Sequence, residues 1–146
     1  MIRTPYKRTK VINALAPASQ TGDVAGTAVD TKGWQWLRVL LHLGAEASSE
    51  AITLKLQHCA TSGGSYVDVP SGPTIGPISA AGSDGDKPKE ILVYLPTAGL
   101  NRYVKPAVTQ TGSGSFVYGV SVHLSEPIST DLATQTPDKT LPATGI

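Results

Sequence analysis

Three histidines, one cysteine and eleven carboxylates are the side chains of this sequence best suited to acid–base, nucleophilic or metal chemistry. His42, His58 and His123 each fall inside an alternating apolar run, and none has the spacing of a zinc motif. A histidine within a strand is by default a hydrogen-bonded structural residue, and all three are read so. Cys59 follows His58 directly. Neighbouring strand residues point to opposite faces, so the two do not make a Cys–His dyad. Cys59 reads instead as a small apolar filler. The carboxylates are scattered along the chain. Asp84-Gly85-Asp86 faintly resembles a calcium loop but lacks the closing glutamate such a loop needs. Gly63-Gly64 and Gly112-Ser113-Gly114 lack the lysine and helix of a phosphate loop and read as hairpin tips. No catalytic, cofactor-binding or metal-binding residue is assigned, and the expectation is a chain that is not an enzyme.

The elements that carry these residues alternate with period two. In Trp34–Leu43, Leu37, Val39, Leu41 and Leu43 share one face, and Trp34, Trp36, Arg38, Leu40 and His42 the other. Gly33 and Gly44 bracket the run and leave it short for a helix. In Ala51–His58, Ile52, Leu54, Leu56 and His58 alternate with Thr53, Lys55 and Gln57, as in a half-buried antiparallel strand. A Thr-Ser-Gly-Gly-Ser turn then leads into a short return strand, Tyr66–Val69. Ile91, Val93 and Leu95 mark a further strand, stopped by Pro96. Tyr103–Thr111 is another, with Pro106 expected at an edge or beside a bulge. Phe116–Leu124 is the last, with Phe116, Tyr118, Val120, Val122 and Leu124 on one face. Lys10–Leu15 and Asp23–Thr31 are weaker strand candidates. The stretch 16–22 and the Pro/Gly-rich stretch 70–88 read as loops.

These runs predict an all-β single domain, an antiparallel β-sandwich or jelly-roll with extended N- and C-terminal arms. The organisation read from the sequence is an N-terminal arm with possible first strands over 1–30, a sandwich core over 31–125 and a Pro/Thr-rich C-terminal arm over 126–146. At 146 residues the chain fits one domain. A single cysteine excludes an intramolecular disulfide and suits synthesis in a reducing cytoplasm. No apolar run approaches the ~18 residues of a membrane helix. A net charge of +1 leaves no basic footprint for nucleic acid.

Only 16% of the residues are charged, so Ser, Thr and Gly must supply most of the surface polarity. Such a surface suits a protein packed against neighbours. The candidate contacts are the basic cluster Arg3, Lys7, Arg8 and Lys10, the paired tryptophans Trp34 and Trp36, and the proline-bearing tail with Pro127, Pro137 and Pro142. Trp34 and Trp36 on one face would alternatively suit a carbohydrate-binding module.

Lys32-Gly33-Trp34-Gln35-Trp36-Leu37-Arg38-Val39, Ile52-Thr53-Leu54-Lys55-Leu56-Gln57-His58, Tyr66-Val67-Asp68-Val69 and Asn101-Arg102-Tyr103-Val104-Lys105-Pro106-Ala107-Val108-Thr109 follow one another in an order that resembles the decoration or cement proteins of tailed-bacteriophage heads. The resemblance spans residues 30 to 125. It departs after His58, where Cys-Ala-Thr replaces an acidic turn, and in the Pro/Gly-rich stretch 70–88. It implies a protein made in the host cytoplasm, located on the outer surface of the capsid, partnered by the major capsid protein and by itself as a homotrimer or other homo-oligomer, with no cofactor. Another virion part, a head–tail connector or tail-tube protein, is the alternative.

Overall fold

Alternation along the chain becomes two antiparallel sheets laid face to face. The computed structural model describes residues 9–46, 50–79 and 88–127, with backbone alone at 45, 46 and 127. Its strands are β1 (Thr9–Gln20), β2 (Val24–Ala25), β3 (Val29–Asp30), β4 (Trp34–Glu46), β5 (Ala51–Cys59), β6 (Val67–Asp68), β7 (Ile75–Ser79), β8 (Lys89–Tyr94), β9 (Tyr103–Thr111) and β10 (Phe116–Pro127). One sheet has four strands in the order β1-β10-β4-β8. The other runs β2-β9-β5-β6, with β3 also paired to β9 and β7 to β5. This is the all-β sandwich the periodicity predicts.

The core lies between the sheets. Leu37, Val39 and Leu41 of β4 and Phe116, Tyr118, Val120, Val122 and Leu124 of β10 face Ile52, Leu54 and Leu56 of β5 and Val104 and Val108 of β9, all buried. Each such side chain stabilises the fold by about 1.5–3 kcal/mol over its exposed state. The faces assigned from the sequence to β4, β5 and β10 are therefore the observed ones, except at Trp34, which packs against the core. His58 belongs to this interior, where its Nδ1 accepts a hydrogen bond from the Asn101 amide at 3.1 Å.

Four expectations need correction. The stretch 16–22 is a loop only at its end: β1 continues to Gln20 through Pro17, with register shifts after Asn13 and Leu15. An edge strand tolerates both the proline and the bulges because one side of its ladder is free. The stretch 70–88 holds a strand, β7, where Pro77 falls inside the register break opposite β5. Pro106 sits in a strand paired on both sides, not at an edge. Its missing donor coincides with the interruption between β2 and β3, and there its carbonyl accepts from Gly26 at 2.8 Å. Cys59 is no core filler: it is half-buried on the outward side of β5, its Sγ 3.9 Å from the Thr61 hydroxyl. The region read as an N-terminal arm supplies β1, β2 and β3.

Candidate functional site

The two sheets present outward faces of different chemistry. On the six-stranded sheet the outward side chains tie each other down. Lys55 Nζ donates to Asp68 Oδ2 at 2.7 Å, and Gln57 Nε2 to Asp68 Oδ1 at 2.8 Å. Arg102 bridges both oxygens of Asp30 at 2.7 and 2.9 Å, while its guanidinium lies 5.1 Å from the Tyr103 ring. Lys105 Nζ covers the Tyr66 ring at 4.4 Å. The hydrogen bond from Arg102 is the main reason that Asp30 holds its proton less tightly than an ordinary carboxyl. Lys55 does the same for Asp68. The face is polar and internally satisfied, and both tyrosine rings carry a cation.

The outward face of the four-stranded sheet is nearly uncharged. The register aligns Val11, His123, Arg38 and Leu92 across β1, β10, β4 and β8. The row on one side is Thr9, Ser125, Trp36 and Tyr94, and on the other Asn13, Ser121, Leu40 and Glu90. Val11 is 61% exposed, Leu92 58% and Tyr94 40%. The rings of Trp36 and Tyr94 meet at 4.8 Å with their planes tilted by 50°. Arg38 and Glu90 are the face's charged residues, and they neutralise each other at 2.6 Å. Ser121 and His123 Nε2 hydrogen-bond at 3.1 Å. Burial, with Arg38 and His42 close by, pushes His123 below the usual histidine range.

Along its β8 edge this face continues into a shallow groove of about 360 Å³. Val69, Pro70, Pro73, Leu92, Tyr94 and Leu100 are among the residues that line it.

The sequence-derived contact residues separate in space. Trp36 lies on the uncharged face, but Trp34 packs against the core, so the two do not form one platform. Lys10 is exposed on β1, and Pro127 ends β10 opposite Trp34. Arg3, Lys7, Arg8, Pro137 and Pro142 lie outside the described residues. His58 faces the interior while His42 and His123 lie on the outward face, and no group of three potential metal ligands forms among the described residues. Missed by the sequence reading were Val11, Leu40, Leu92 and Tyr94. Their signal was present: Ile91-Leu92-Val93-Tyr94-Leu95 is apolar on both faces, more than a sheet with one wet side requires.

A buried polar cluster closes one end of the sandwich. Glu50, 2% exposed, accepts from the Gly114 amide at 2.6 Å, and Gln110 Nε2 donates to the Gly114 carbonyl at 2.7 Å. A Cβ on Gly114 would collide with the Glu50 carboxylate, which is why the hairpin tip carries glycine there.

No protein-family model and no curated protein matches this chain. Solved structures do match. The exported protein XepA of PBSX aligns over 98% of this chain at 10% identity, with a TM-score of 0.54. Infectious bursal disease virus, Gx strain, aligns over 84% at 12% identity and 0.52. The VP2 subviral particle of the same virus aligns over 88% at 12% and 0.52. The chain spans 46%, 34% and 35% of those proteins, respectively. At such identities the likeness is one of fold.

Proposed function

We propose that this chain is a non-enzymatic structural protein of a virion, binding the outer surface of a phage capsid and stabilising it by bridging capsomers. The observation that carries the reading is the broad, nearly uncharged outward face of β1-β10-β4-β8, with Val11, Leu92 and Tyr94 exposed on it. Apolar residues gathered on one side of a monomer mark a surface that another protein covers. The fold it shares with a VP2 subviral particle of a virus supports the same class of role. The cement role itself, with the major capsid protein and further copies of this chain as partners, is drawn from the resemblance of its strand motifs. The basic cluster at Arg3, Lys7, Arg8 and Lys10 would reach an acidic capsid surface, and the Pro127–Pro142 segment would spread contacts over a neighbour.

Glycan binding is less well served. Trp34 packs inward, the Trp36 and Tyr94 rings are tilted against one another, and cations cover Tyr66 and Tyr103. A sugar needs an open, level aromatic ring to stack on.

The test uses expanded capsids stripped of this protein. Adding it back should saturate the outer surface at a copy number in the hundreds and raise resistance to heat or osmotic shock. Binding with no gain in resistance overturns the cement role. A handful of copies at one vertex would assign it to a connector instead.

A further inference from the structure

We infer that the outward face of the four-stranded sheet is covered by the same face of a second copy of this chain, the two related by a two-fold axis parallel to the strands. This rests on reading that face as protein-binding, but not on the capsid.

The first argument is charge. A surface that packs on its own copy meets its own charges, so it must be neutral or self-paired. Here Arg38 and Glu90 cancel each other at 2.6 Å, and the remaining side chains of the face are apolar, hydroxyl, amide or imidazole. The opposite face of the sandwich has three cations, Lys55, Arg102 and Lys105, against two carboxylates, Asp30 and Asp68.

Shape gives the second argument. The bulky side chains crowd onto one half: Trp36 and Leu40 on β4, Leu92 and Tyr94 on β8. The β1–β10 half carries Thr9, Asn13, Ser121 and Ser125 around a central Val11 and His123. Rotation about an axis along the strands lays each bulky half over the other copy's small half. Trp36 then meets Ser125, Glu90 meets Asn13, and Val11 meets Leu92. The contact is isologous and closes as a dimer. The resemblance implies a homotrimer or other homo-oligomer, and this is the dimeric case.

Size is the third. Strands ~4.8 Å apart, three of them about 40 Å long and the six-residue β8 about 20 Å, make a face of roughly 700 Å². That approaches the ~800 Å² each partner buries in a complex of standard size. Aligned sheets pack in this manner through interdigitating side chains.

Sedimentation equilibrium of the full chain should give twice 15.1 kDa. Leu92→Lys and Val11→Lys, one on each half, should each weaken the dimer roughly tenfold or more, the scale of losing one interface anchor. Val67→Lys, at a site 56% exposed on the other sheet, should leave it unchanged. Cooperative melting of each variant separates lost association from lost folding. In a Cys59→Ser background, mixing Val11→Cys with Leu92→Cys chains should give a disulfide-linked pair. A monomer, a trimer, a dimer indifferent to both lysine variants, or absence of that cross-link overturns the proposal. None of these outcomes depends on capsid binding, so a failed capsid assay and a failed dimer are read separately.

Discussion

At the scale of single residues, two groups show how position sets chemistry. His123 sits among Ser121, Arg38 and His42, and burial is the larger cause of its depressed proton affinity, ahead of the Arg38 charge. Its folded-state pKa is below the unfolded value of about 6.5. The contribution to stability is therefore present above that value and is lost as pH falls through the folded pKa. Titration by NMR should find His123 below the ordinary histidine range, and Arg38→Gln should recover only part of the shift. Full recovery would make the cation, not burial, the main cause. Glu50 is the second case. Glu50→Ala leaves the Gly114 amide without its acceptor in a closed site, and urea unfolding should record a loss of about 2 kcal/mol.

At the scale of elements, the edge strands decide where the fold is fragile. Gly76 in β7 has φ of +120°, and a Cβ there would lie 2.6 Å from the Ile52 carbonyl oxygen. Gly76→Ala should cost about 1–3 kcal/mol, because backbone of β5 and not a movable side chain opposes it. The same alanine at Gly63, which has nothing within 4 Å, should be nearly silent in a thermal melt. Leu54→Ala, in the middle of β5, should cost about 2–5 kcal/mol by opening a cavity between the sheets. Strand existence and facing were legible at β4, β5 and β10, where one face is apolar without interruption. β1 beyond Leu15 and β7 were not legible. They are edge strands, held by one neighbour, and their Pro17 and Pro77 give the local signature of a loop.

At the scale of the whole molecule, both sheets and the core between them lie within residues 9–127. A chain trimmed to that range should melt cooperatively near the full-length temperature yet bind capsids more weakly, since Arg3, Lys7, Arg8 and the Pro137–Pro142 segment are gone while Lys10 and Pro127 remain. Undiminished binding would leave the capsid contact to the sandwich alone. The terminal contact residues were legible only as a composition, a basic start and a proline-bearing end. The uncharged face was not legible as a face, because its members come from four strands far apart in sequence.

What the sequence determined by itself was the class of fold and the identity of the core. Period-two burial is a local property, since a residue's side of the sheet follows from its neighbours two positions away. It also determined that Cys59 and His58 point apart. Only the tertiary structure decided which outward residues stand together. Strand order joined Val11, His123, Arg38 and Leu92 into one row, packed Trp34 against the core and Trp36 against Tyr94, and placed both cation–π pairs of the described residues on the opposite sheet. Pairing between distant strands depends on the burial of the whole core, and no single run of residues encodes it.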